Sequence, residues 1–163
     1  MLLLTSACGI THPRDLNFRT DDRLHFSSPA DRAKVEQPVT VSWHIRDFRV
    51  TEKGHGRPGD DAGFFAVFVD RAPVKPGQTL DAVAGGDPSC ERDPRCPDET
   101  YLRQHRVFAT TSTSLKLPQI ANLADSNEKV QLHSITVVLL DSAGRRIGES
   151  AWQLDVRIPK AEV

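Results

Sequence analysis

The chain has 163 residues, enough for one domain with a substantial core and too few for two domains of ordinary size. Its 21 Lys and Arg against 22 Asp and Glu leave a formal net charge of -1, so no one-signed field argues for DNA, RNA or an anionic membrane surface. Nucleic acid is not the partner class expected, and no apolar run reaches the ~20 residues that span a bilayer.

The N-terminus, MLLLTSACGI, places an apolar run and small residues directly before Cys8. It resembles the end of a bacterial lipoprotein signal peptide, whose cysteine is lipid-modified and becomes the new N-terminus. That resemblance implies export and membrane anchoring through Cys8 alone, on the cell surface or in the periplasm. No basic residue precedes the run, and Leu2 to Ala7 is shorter than the roughly 7 to 15 apolar residues usual there. A start assigned downstream of the true one accounts for both. Residues 1–8 are thus read as a signal remnant. The polar, aperiodic stretch 9–22 is read as a flexible tether to a domain spanning 23–159, with 160–163 a tail.

Leu24 to Phe26 begins that domain as a short strand before a Ser-Pro turn. PVTVSWHIR then alternates: Val39, Val41, Trp43 and Ile45 fall on one face, and Thr40, Ser42, His44 and Arg46 on the other. Period two in a β-branched run predicts a strand with one face in a core, and Trp43 is its expected centre. After a Gly-rich, charged loop over 49–63, FFAVFVD is apolar on both faces and reads as a central strand covered on both sides. RAPVKPGQTLDAV continues it through a turn at Pro76-Gly77.

Residues 85–99 form a loop crowded with Pro, Asp and Arg that carries Cys90 and Cys96. Such spacing in a turn-rich loop allows a disulfide, which an exported protein would form, and closing so small a loop stabilises by about 2 kcal/mol. Two free thiols are the alternative. A redox pair would read C-x-x-C, and a structural zinc site would need another ligand pair at comparable spacing. Downstream, YLRQHRVFATT predicts a strand, and SLKLP turns Leu115 and Leu117 to one face. QIANLADSNEK allows one helical turn. LHSITVVLLD and SAWQLDVRI are strands joined through SAGRRIGE, with Trp152, Leu154, Val156 and Ile158 on one side of the second.

With no amphipathic helix of three turns and short strands recurring between turn signals, the pattern predicts an all-β sandwich. The SSPADRAKVEQPVTVSW run and the late HSITVVLLDSAGRRIGESAWQLDV hairpin resemble bacterial immunoglobulin-like or fibronectin type III-like domains. The resemblance implies a single antiparallel sandwich with long loops. No cysteine pair is placed to bridge the two sheets, and residues 75–100 exceed what a minimal sandwich needs.

Catalytic signals are sparse. His12, His25, His44, His55, His105 and His133 show no H-E-x-x-H or comparable spacing, Ser150 lacks a nucleophile elbow, and the glycines of AGGDP lack the Lys and Ser/Thr of a phosphate loop. No enzyme, metal or cofactor is expected. Asp87, Glu91, Asp93, Asp98 and Glu99 could supply oxygen ligands to Ca²⁺, but Arg92 and Arg95 lie among them and EF-hand spacing is absent. The expected function is non-enzymatic: a tethered domain contacting an envelope or extracellular protein through the cysteine loop, with Arg92, Arg95, Tyr101 and Arg103 as contact residues, types enriched at such surfaces. The alternative is a carbohydrate-binding accessory module, which would display an exposed aromatic platform.

Overall fold

Every residue of Ala62–Val69 is buried, which an eight-residue strand achieves only when both of its faces are covered. This strand, β5, organises a computed structural model that describes residues 21–124 and 126–160. Cys8, the tether up to residue 20 and the tail beyond Lys160 lie outside the described residues. Two sheets pack together. One has the order β1 (Leu24–Ser28), β3 (Thr40–Ile45), β7 (Ser114–Lys116). The other runs β2 (Ala33–Lys34), β9 (Trp152–Pro159), β8 (Val130–Asp141), β5, with β4 (Arg49–Val50) and β6 (Val107–Thr110) sharing the far edge of β5.

The main core lies between the sheets. The β3 ladder faces inward as its period-two pattern requires, with Val41 and Trp43 buried. They meet Phe65, Val67 and Val69 of β5, Ile135, Val137 and Leu139 of β8, and Leu154, Val156 and Ile158 of β9. Trp43 sets its ring edge against Phe65 at 5.3 Å between centroids. Each such side chain contributes about 1.5–3 kcal/mol by leaving water.

A second apolar cluster lies on the opposite face of the larger sheet. Phe64, Ala66 and Phe68 of β5, Val138 and Leu140 of β8 and Val107 of β6 are covered there by Val74, Leu80 and Leu102. Leu80 sits on a 3₁₀ turn, Leu80–Ala84, and Leu102 on a short helix α1, Glu99–Gln104. The long segment after β5 is therefore the cover of the sheet's outer face, and it accounts for the two-sided apolarity of FFAVFVD. The β8–β9 connection pins this cover from below. Arg146 is buried and donates to the carbonyls of Val74 (2.6 Å), Glu149 (2.7 Å) and Ser150 (3.2 Å).

Three expectations are corrected. The first part of YLRQHRVFATT is α1 rather than strand: Asp98 caps it by accepting the Tyr101 N–H at 2.8 Å, and Glu99 pairs with Arg103 one turn on. The strand begins only at Val107. QIANLADSNEK forms no helix among its described residues. Two glutamines satisfy its backbone instead: Gln37 makes a two-way amide pair with Ile120, and Gln131 accepts from the Leu123 N–H at 2.8 Å. Finally, the pairing is not wholly antiparallel. β2 runs parallel to β9 and β4 parallel to β5, each over two residues, because the chain reaches both positions by crossing between sheets rather than by hairpins.

Candidate functional site

Residues 85–98 leave the covered face between the 3₁₀ turn and α1 and return to it. Cys90 and Cys96 stand at disulfide-bonding distance, with α-carbons 5.0 Å apart. Aspartates shape the turns on either side. Asp87 accepts from the Ser89 N–H (2.9 Å) and hydroxyl (2.7 Å), and Asp93 accepts from the Arg95 N–H at 2.9 Å. These are Asx turns, in which a short carboxylate takes the place of a backbone acceptor two residues back.

The neck of this excursion is closed by Tyr101, whose hydroxyl donates to the second oxygen of Asp87 at 2.8 Å. The ring stacks on His105, 4.0 Å between centroids. Hydrogen bonds from the Ser89 hydroxyl, the Ser89 N–H and Tyr101 hold the Asp87 carboxyl below the usual carboxylate range, and the bond to Asp87 holds the Tyr101 phenol above its ordinary value. The Arg95 N–H and then its side chain hold Asp93 low as well.

The residues expected to contact a partner are therefore mostly engaged within the excursion and α1. Arg95 reaches Asp93, Arg103 pairs with Glu99 at 2.7 Å and sits over the Phe108 ring, and Tyr101 closes the neck. Arg92, at the tip, is exposed. Beside the excursion runs a cleft of about 840 Å³. Phe64, Leu80, Leu102 and Phe108 line its apolar floor, and Lys53, Arg95, Asp98 and Glu99 its rim. The acidic residues considered for Ca²⁺ are spread through these turns and caps; among the described residues no group of three His, Cys, Asp or Glu side chains converges as a metal site would.

Sequence reasoning missed a buried polar knot where β5 ends. Asp70, in the left-handed region at φ 52°, receives the His133 Nδ1–H at 2.8 Å, the Ser134 N–H at 3.0 Å and Arg106 at 3.3 Å. His133 is only 1% exposed. The one available signal was a His in the inward register of β8, between Gln131 and Ile135, which periodicity alone reads as an interruption. Of the other histidines described, His25, His44 and His55 are exposed. Neither Trp offers an open platform: Trp43 is buried, and Trp152 packs on the core and donates to the Asp21 carbonyl at 3.0 Å. No helix among the described residues is long and apolar enough to cross a membrane. No family model, curated protein or solved structure matches the chain.

Proposed function

We propose that this chain is a non-enzymatic, immunoglobulin-like interaction domain, tethered as an exported lipoprotein through Cys8, which grips an envelope or extracellular protein with its cysteine excursion and the adjoining cleft. The strand order supports the immunoglobulin-like assignment. β1, β3 and β7 form one sheet, and β9, β8 and β5 the other, with β6 continuing the second sheet at its edge. That division of strands matches the A, B, E and G, F, C sets of such sandwiches, with β6 in the place of C′.

The observation that carries the binding role is the second core. Leu80 and Leu102 are buried beneath the excursion, so its two ends stand on a packed base and a cross-link narrows its tip. A loop held in one conformation loses less entropy on binding than a free one, which is why rigid scaffolds commonly present binding loops. Carbohydrate binding draws less support, since the tryptophans that would form its platform pack inward.

The test places a photo-crosslinking residue at Arg92, and separately at the exposed Lys116 of β7, in cells of the native host. A single discrete adduct from position 92, absent from position 116 and lost when Cys90 and Cys96 are both Ser, is the expected outcome. Identical adducts from both positions, or an adduct undiminished by the Ser pair, would remove the excursion from the binding role. Intact mass of the recovered protein tests the tether, which requires cleavage before Cys8 and an added acyl moiety.

A further inference from the structure

Among the described residues, the outer face of the larger sheet is covered on its β5 side alone. Towards β2 no described residue covers it, and the side chains there are sorted in a way the net charge of the chain does not suggest. Lys34 of β2 pairs in register with Arg157 of β9, and Arg157 with Leu132 of β8, so the three form one row across three strands on the same face. In the next row Val130 stands beside Pro159. Arg32 precedes β2 and is tied to β9 by its N–H to the Asp155 carbonyl at 2.7 Å.

Arg32, Lys34, Arg157, Leu132, Val130 and Glu128 line a groove of about 550 Å³. Leu132, 48% exposed, is the large apolar side chain left open to solvent among the described residues. Lys34 and Arg157 have no ion-pair partner among the described residues, and Arg32 reaches only Asp31, at 3.9 Å with both side chains largely in water, a pairing of little energetic weight. Arg32, Lys34 and Arg157 thus line the groove with one carboxylate, Glu128, around an apolar strip, while Asp31 lies beside Arg32 and Asp155 one row along the same face of β9.

From this arrangement we infer a second docking surface, separate from the cysteine excursion, for an acidic polypeptide segment of a partner protein. Charge complementarity selects the occupant. A second copy of this chain docked face to face about a two-fold axis would bring Lys34 and Arg157 against themselves, a like-charge juxtaposition that is unfavourable. A lipid surface would need more apolar area to insert than Leu132 and its neighbours offer. An acidic segment can neutralise the cations while laying an apolar side chain on Leu132 and Val130. Rim charges of this kind act chiefly on association rate and salt sensitivity.

The probe is a short fluorescein-labelled peptide of alternating Glu and Leu, measured by fluorescence anisotropy against the full chain. The expected result is saturable binding that weakens as salt rises. It should fall about tenfold in the Lys34→Glu/Arg157→Glu double variant and be unchanged by Arg92→Glu. Both reversed positions are exposed, and a thermal melt within a few degrees of wild type confirms that the variant folds. Absence of saturable binding, or equal binding by the double variant, overturns the proposal. So does binding of anionic phosphatidylglycerol vesicles that the peptide fails to compete. The Cys90→Ser/Cys96→Ser variant should still bind the peptide, which keeps failure of this surface distinct from failure of the excursion.

Discussion

Tyr101 donates its hydroxyl to Asp87 at 2.8 Å, joining α1 to a residue 14 positions earlier at the root of the cysteine excursion. The bond constrains both ends of the excursion whether or not the cysteines are oxidised, and it sets a pH window. Asp87 is held below its ordinary value, so its contribution is present above about pH 4 and is lost as pH falls through the lowered midpoint. Tyr101 is held above its ordinary value, so its contribution is present below about pH 10 and is lost as pH rises through the raised midpoint. The chain contains a single Tyr, which makes the phenolate absorbance band a direct reporter. We predict a phenolate midpoint above about 10 in the native protein, moved down towards that value in Asp87→Ala. A midpoint indifferent to Asp87 would show that the neck is not closed in solution.

Gly63 supplies a stability test of the β5–β8 register. It has φ 154°, and a β-carbon placed on it would overlap the carbonyl of Leu140 across the ladder. The overlap is with backbone, so it is relieved only by moving strands that both cores hold in place. Gly63→Ala should therefore cost about 3 kcal/mol. Gly54, with φ 82° and open space around it, isolates the backbone contribution: Gly54→Ala should cost about 1 kcal/mol. Urea unfolding of both variants measures the difference, and equal costs would mean that β5 and β8 are not closely apposed at Gly63.

The sandwich was legible because its signals are local. Val39, Val41, Trp43 and Ile45 alternate with polar residues, and that spacing alone assigns the inward face of β3. The two-sided apolarity of β5 showed that something must cover its outer face, but not what. Leu80 and Leu102 sit in short, weakly periodic segments whose burial depends on where the chain returns in space. For the same reason residues 101–104 of α1 show no helical pattern: Asp98 and Glu99 carry the helix-start signal, but Leu102 is the only buried residue of α1, too few to set a helical period. Arg95, Tyr101 and Arg103 were recognisable as a cluster by residue type. Their pairing with Asp93, Asp87 and Glu99 could not be separated from surface exposure without the fold. The row formed by Lys34, Arg157 and Leu132 comes from three distant segments, and only the register of β2, β9 and β8 brings them together.

Asp70 offers the sharpest test of the buried polar knot. It satisfies His133, Ser134 and Arg106 at once, and its backbone occupies the left-handed region that Asp and Asn tolerate better than other side chains do. Asp70→Ala removes every acceptor, leaves the His133 and Ser134 N–H groups without their partner, and places a β-carbon residue without a local acceptor at φ 52°. The expected loss is about 3 to 5 kcal/mol. Asp70→Asn keeps the backbone preference and one carbonyl oxygen, enough for either His133 or Ser134 but not both, and should lose about 1 to 2 kcal/mol. Asp70→Gly relieves the backbone while removing the same acceptors as Ala. Stability close to that of Ala would therefore assign the loss to the hydrogen bonds, whereas stability close to wild type would assign it to backbone strain. Denaturant unfolding of the three variants distinguishes these cases, and wild-type stability in Asp70→Ala would mean that the knot contributes nothing to holding the end of β5 against β8.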